Sequence, residues 1–379
     1  MKNTLLNNEA EQDEDSGISE TIGVGLQSIL DSRSKQINKG LVNLTGNVVG
    51  NGNGSVHLTV HNIRNFYEHS QSIARNNQQN NANTNGNLLR NSPLTEGSSL
   101  SLPMRCNKRA VLCGVTYGKR KFSLKGSVND VVNMKELLVN NFNFPISCMR
   151  ILTEEVKKPS LIPTRQNILK ALKWLVKDCQ AGDSLVFYFS GHGLNISDSN
   201  GDEIDGFDEA ICPVDFMTEG SIIDDELNST IVWPLKKDVT LHAIVDAGHS
   251  GTILDLNYVY NKKSGMWDQG NYNTATNRKH TSGGVAICLS ACEDDQMASA
   301  STTFGQNRTN GVLTYLFTKA IRDYPGITYR SLLNKMQSEI EKMNASTNRR
   351  KFTFQRKVAQ DPLLSSSEKF DVSATIFTM

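Results

Sequence analysis

From Lys108 onward the chain alternates short, uninterrupted apolar runs with stretches of helical period, and that alternation is the signature of a parallel sheet covered by helices. The runs Ala110–Val115, Leu185–Ser190, Leu241–Asp246 and Val285–Leu289 read as its strands. Between the first two, the spacing predicts a helix near Val131–Val139. A second is opened by Thr164 after Pro163, with Ile168, Leu169, Leu172, Leu175 and Val176 on one face. Leu313, Leu316, Phe317 and Ala320 stripe a later helix. Leu332, Leu333, Met336, Ile340 and Met343 stripe another after the turn at Pro325-Gly326. Phe370, Val372, Ala374 and Ile376 alternate as a closing strand would. The polar stretch from Tyr258 to Ser282, with Lys262-Lys263 and Arg278-Lys279, breaks the pattern and reads as an exposed loop.

Residues 1–104 are of a different kind. They hold no Cys or Trp, and Asn76 to Gly97 is an Asn/Gln/Ser/Gly tract too polar to pack, so the region reads as disordered, low-complexity and Asn-rich. Within it Ile18, Ile22, Leu26, Ile29 and Leu30 recur at helical spacing. Residues 18–30 are therefore a candidate element for a protein partner, or a marginal helix with no role.

Composition narrows the class. A chain of 379 residues, 21% charged and with net charge +1, suits one sizeable core with appendages and argues against nucleic acid as the main partner. No apolar run approaches the roughly 18 residues of a membrane span, and the Met1 end is acidic from Glu9 to Asp15, where a signal peptide needs a basic and then an apolar stretch. The expectation is a soluble protein, cytoplasmic or nucleo-cytoplasmic. Seven cysteines, an odd number without a Cys-x-x-Cys pair, predict neither a disulfide framework nor a zinc site but small buried hydrophobes.

Open α/β sheets place their sites beyond the carboxyl ends of the strands. Two such ends carry the chemistry. Phe187-Tyr188-Phe189-Ser190-Gly191-His192-Gly193 presents a histidine between two glycines, with the Gly193 N–H available to a developing oxyanion. In Val245-Asp246-Ala247-Gly248-His249-Ser250-Gly251-Thr252, Gly248 stands two residues past Asp246, where a cysteine would be the thiolate partner of His192.

These loops resemble the Ser-Gly-His-Gly and Asp-x-Cys-His-Ser-Gly motifs of the metacaspases, the caspase-like peptidases (family C14) of plants, fungi and protists. Leu124-Lys125-Gly126-Ser127-Val128-Asn129-Asp130, Gly206-Phe207-Asp208-Glu209, Ile222-Ile223-Asp224-Asp225-Glu226 and Ser290-Ala291-Cys292-Glu293-Asp294-Asp295-Gln296 match plant type I members in order and spacing. The resemblance implies an α/β fold of caspase-like sandwich type, a mostly parallel central sheet with helices on both faces. It would occupy residues 105–379, with a p20-like part at 105–256, a linker loop at 257–281 and a p10-like part at 282–379.

It further implies a calcium-dependent cysteine endopeptidase that cleaves after Arg or Lys in proteins or peptides, a family role in programmed cell death, and site residues. His192 and the Gly248 position would be catalytic, with Gly193 as oxyanion donor. Asp130 and Asp246 would line the pocket for the basic side chain, where a desolvated cation gains charge-assisted hydrogen bonds. Asp208, Asp224, Asp225 and Asp255 would offer Ca²⁺ its hard oxygen donors. Plant type I members often carry an amino-terminal zinc finger; this chain lacks its cysteine pairs, so no zinc is expected.

Glycine supplies no thiolate. Losing a triad nucleophile in a well-studied serine protease cost about 2 × 10⁶ in rate, and a similar loss is expected here. A second cysteine that some relatives carry in a Leu-Lys-Gly-Cys motif is replaced by Ser127, leaving Cys212 and Cys292 as the sulfurs to weigh. A serine hydrolase using Ser250 with His280 is the rival, but Thr252 replaces the last glycine of the elbow and no helix is predicted directly after it. Two readings stand: a catalytically silent pseudo-protease acting as binder, decoy or regulator, or an active endopeptidase whose Cys at 248 was lost through an engineered or erroneous codon.

Overall fold

The computed structural model describes Asn43–Thr45 and residues 105–379, apart from 119, 199–202, 205, 271–278, 292–299, 302–309 and 350–359. The helical-period residues 18–30, the polar tract 76–97, Arg278 and Cys292 lie outside the described residues.

Parallel strands β2 (Lys108–Gly114), β3 (Met149–Thr153), β4 (Ser184–Ser190), β8 (Thr240–Asp246) and β11 (Val285–Ser290) lie side by side in the order β3-β2-β4-β8-β11. Antiparallel strands β12 (Leu363–Ser366), β9 (Tyr258–Asn261) and β10 (Met266–Gln269) extend the sheet past β11. A second, antiparallel sheet joins β1 (Asn43–Thr45), β5 (Gly193–Ser197), β6 (Phe207–Ile211) and β7 (Ile222–Ile223).

Side chains alternate across a strand, so each parallel strand feeds two cores. Val111, Cys113, Phe187, Phe189, Ala243 and Val245 pack on the face covered by α2 (Arg165–Val176), through its Ile168, Leu172 and Leu175. Ala110, Leu112, Val186, Tyr188 and Ile244 pack on the other face. There they meet α1 (Ser127–Phe142), α4 (Val312–Asp323) and α5 (Tyr329–Arg349). Helices on both faces of a mostly parallel sheet are the expected architecture. The Thr164 cap is also as the sequence reads: its side chain accepts from the Asn167 N–H at 3.3 Å.

Three expectations are corrected. Phe370–Ile376 is not the closing strand. The Asp371 carboxylate accepts from the N–H groups of Ser373 and Ala374 and curls that stretch into a turn, while Leu363–Ser366 pairs with β11 instead. The stretch from Tyr258 to Ser282 is not simply an exposed loop: β9 and β10 form a hairpin, tied at its turn by Asn261 Oδ1, and Lys279 is buried. Finally, Cys106 and Cys148 are joined in a disulfide that links the entries to β2 and β3; an odd cysteine count without a Cys-x-x-Cys pair gives no sign of a single long-range bridge.

Candidate active site and acidic cluster

The parallel strands end level with one another: Gly114 lies beside Ser190, Ser190 beside Asp246, and Val245 beside Ser290. Every candidate catalytic and pocket residue sits at or beside that edge. The His192 loop leaves β4 with the Gly191 N–H on the Asp246 carbonyl at 3.3 Å, and returns as β5. Gly193 and Gly248 touch. A Cβ built on Gly193 would fall 1.9 Å from the Gly248 carbonyl oxygen, so any side chain there would drive the two loops apart.

His192 is 1% exposed and held on three sides. Its N–H donates to the Tyr117 hydroxyl at 2.7 Å, which in turn donates to the Cys212 carbonyl at 2.8 Å, and the Tyr117 ring lies 4.5 Å from the imidazole. The imidazole Nε2 is 2.7 Å from the Phe122 carbonyl. A carbonyl only accepts, so Nε2 carries the proton and, in the neutral ring, Nδ1 keeps the lone pair. The imidazole is thereby oriented as a base through Nδ1, with a backbone carbonyl in the place of an orienting carboxylate.

Asp130 and Asp246 converge from α1 and β8, each 1% exposed. Gly311 lies between them: a Cβ there would come within 2.1 Å of Asp246 Oδ2 and 3.0 Å of Asp130 Oδ2. Donors surround the pair. The Gly311 N–H and the Ser190 hydroxyl donate to Asp130, at 2.9 and 3.0 Å, and Thr314 donates to Asp246 through both its N–H and its hydroxyl, at 2.9 and 2.6 Å. Burial and the neighbouring Asp246 push the Asp130 carboxyl well above the usual range. Burial likewise raises Asp246 to about 6, against the opposing bonds from Thr314. Among the described residues no cation pairs with either.

A second set of carboxylates gathers behind β6. Asp224 opens the short helix α3 (Asp224–Leu227), and its Oδ2 accepts from the Glu209 N–H at 2.8 Å. Glu203, Asp224 and Asp255 can each place an oxygen within 4.8 Å of the others. Lys279 enters the same space, 2.9 Å from Glu203, 3.0 Å from Asp255 and 3.4 Å from Asp225. Asp224 is raised well above the usual carboxylate range by burial, then by Glu209 and Asp208, which places Asp208 in the same field. Asp255, 1% exposed at a φ of 48°, is raised by burial and by Asp224. Its Oδ1 is buried with no hydrogen-bond donor among the described residues. Of the expected donors, Asp224 and Asp255 are brought together with Glu203, while Asp225 joins them through Lys279 and Asp208 through its effect on Asp224. The cluster fits a hard divalent cation: Glu203, Asp224 and Asp255 can each turn a carboxylate oxygen into one coordination sphere, where a cation would restore the charges that burial opposes.

Comparison with known proteins agrees with this geometry. Residues 108–257 match the model of the metacaspase, peptidase C14 domain. Metacaspase-3 of Arabidopsis thaliana is 45% identical over 274 residues, 72% of this chain and 75% of that protein. The chain belongs to the type I metacaspases. Metacaspase-1 of the same plant is 40% identical, covering 72% of this metacaspase and 78% of the relative, and Metacaspase-2 is 47% identical, covering 64% and 58%.

The other chemistries fare differently. Among the cysteines, Cys212 follows β6 and its N–H bonds the His192 carbonyl, yet its thiol is fully buried and its pKa is pushed up by desolvation, so it is held as a neutral thiol. Ser250 donates to the Ala247 carbonyl at 2.8 Å, no helix follows it directly, and His280 is exposed with its ring 4.7 Å from Trp233. The nucleophile-elbow geometry is therefore absent.

Sequence reasoning missed several members of this metacaspase's site. Ser190 stood inside the quoted histidine motif and could have been read as a donor. Tyr117, Phe122, Gly311 and Thr314 act through backbone groups or arrive from distant elements, and no local pattern marks them. Glu203 and Lys279 lie in polar stretches where a charged residue draws no attention.

Proposed function

We propose that this chain is a catalytically silent metacaspase that binds peptides with an exposed Arg or Lys and takes up Ca²⁺ at the acidic cluster, acting as a binder, decoy or regulator. The carrying observation is the glycine at 248 against an otherwise assembled cleft. The imidazole of His192 is held in one tautomer, Gly193 abuts the Gly248 carbonyl, and Asp130 and Asp246 are buried together with no cation paired to them among the described residues.

Two adjacent buried carboxylates are costly in the free protein, because each resists ionisation of the other. An incoming guanidinium would relieve that repulsion and restore both charges, and it is the arrangement that selects basic side chains. With a cysteine at 248, Nδ1 of His192 would draw off the thiol proton and the Gly193 N–H would receive the developing oxyanion. With glycine the sequence stops at binding.

The same intact machinery supports the second reading, in which a functional parent carries cysteine at 248 and is a calcium-dependent endopeptidase. Where Ca²⁺ binds, Glu203, Asp224, Asp225 and Asp255, with Asp208 beside them, would hold it, and the ion would supply positive charge to a cluster that one lysine leaves anionic. Cytoplasmic placement and a part in cell-death or stress responses belong to the same reading.

A fluorescent peptide with a single arginine tests it. Its anisotropy should rise on the unaltered chain with calcium, be lost in Asp246→Asn, and mass spectrometry should return the peptide uncut. A cut peptide, or a covalent adduct with an arginyl probe, would defeat the silent reading.

A further inference from the structure

The acidic cluster already holds a cation, and it is covalently part of the chain. The side chain of Lys279 is 5% exposed, and its ammonium group stands 2.9, 3.0 and 3.4 Å from oxygens of Glu203, Asp255 and Asp225. An ammonium group donates in three directions and accepts in none, so it stands in for a metal among these three carboxylates, at longer range than the roughly 2.3–2.6 Å of calcium–oxygen bonds.

Two features show that it only partly satisfies the site. Five other carboxylates, Glu203, Glu209, Asp224, Asp225 and Asp255, share the cluster with Asp208, and Asp255 Oδ1 is buried with no hydrogen-bond donor among the described residues. Lys279 also belongs to the connection between the two parts of the fold. Just after it the chain is fastened, by Thr281 Oγ1 on the Gly284 carbonyl at 2.5 Å and by bridges from Ser282 and Gly283 to Lys236.

We infer that Lys279 is a tethered competitor for the divalent-cation site: the cation and the lysine bind the same oxygens in turn, so that metal entry expels Lys279 and exposes the Lys279–His280 bond to proteolysis. The inference rests on the calcium reading above and extends it to the control of the linker. Two cations cannot share one set of oxygens at bonding distance, so occupancy is exclusive. Linkage then requires that whatever calcium does to Lys279, Lys279 does to calcium. The apparent affinity for the ion is reduced by the fraction of molecules whose lysine is withdrawn.

Two measurements on the full chain test this. Calcium titration by calorimetry should give a dissociation constant at least about tenfold tighter for Lys279→Met than for the unaltered chain, while Lys279→Arg, which keeps the charge, stays near it. On the unaltered chain, endoproteinase Lys-C should cut the Lys279–His280 bond at least about tenfold faster in saturating Ca²⁺ than in chelator, judged against the cuts at Lys262 and Lys263 in the same digest. This second arm stands even if Lys279→Met fails to fold. Equal calcium affinity in the unaltered and Met chains, or a Lys279–His280 bond that calcium leaves unchanged or protects, overturns the inference while leaving calcium binding intact. No heat of calcium binding in either chain removes both the inference and the calcium reading beneath it.

Discussion

Two groups of buried carboxylates lie in this fold, one against α1 and α4 and the other among residues packed on the α2 face, and they are neutralised in different ways. Asp130 and Asp246 are surrounded by neutral donors, from Ser190, Gly311 and Thr314, and no cation reaches them among the described residues. The cluster of Glu203, Asp224, Asp225 and Asp255 carries Lys279, which pairs with Glu203, Asp225 and Asp255. Neutral donors stabilise a carboxylate only partly, and the raised pKa values of Asp130 and Asp246 are the mark of what is left over. The first pair is built for a cation that arrives on another molecule, and the second has a substitute of its own.

The largest effect that separates the two concerns substrate charge. In a Gly248→Cys background, Asp130→Asn or Asp246→Asn should lower kcat/KM for an arginyl reporter by about 10²–10³, the loss expected when one partner of a buried charged contact is removed. Calcium affinity in the same variants should stay within a few fold. An arginyl reporter cleaved equally well by these variants would separate the acid pair from specificity.

At the other cluster, Asp224→Ala or Asp225→Ala should weaken calcium binding by roughly tenfold or more, read as a flattened calorimetric isotherm, because each removes a charged oxygen from the coordination sphere. Unchanged isotherms in both would remove the metal from these residues.

A smaller effect appears in stability. The Asp246 carboxyl rises from an ordinary 3.8 to about 6 in the folded chain, so between those values the native state binds more protons than the unfolded one. Its contribution is fully present below pH 3.8 and is lost as pH rises through 6. Asp246→Asn should therefore stabilise the chain by about 3 kcal/mol at pH 7.5, with the gain fading toward pH 4, measured by urea unfolding across that range. A gain that is independent of pH would mean that the carboxyl is not the source.

What the sequence could and could not tell follows the same division. Strands with continuous apolar runs and helices with a clean stripe, such as Ile168, Leu172 and Leu175, were legible because their periods follow directly from burial. So were His192 and Gly248, whose loops sit at strand ends and carry recognisable motifs. The segment Phe370–Ile376 misled because an alternating pattern was overruled by the local turn that Asp371 makes with Ser373 and Ala374. Lys279 was hidden for a deeper reason. A lysine beside Arg278 in a polar stretch normally faces water, and only the three-dimensional meeting with Glu203 and Asp255 gives it a buried partner. The disulfide between Cys106 and Cys148 was invisible in the same way, since its partners are brought together by the pairing of β2 and β3.

The central claim is that the cleft lacks one atom and little else. Hydrolysis of an arginyl reporter with calcium, measured on this chain and on Gly248→Cys side by side, addresses it directly. The account predicts no turnover above background for the glycine chain and a gain on the order of 10⁶ for the cysteine variant. Turnover by the unaltered chain, or a cysteine variant that stays inert while folded, would contradict it.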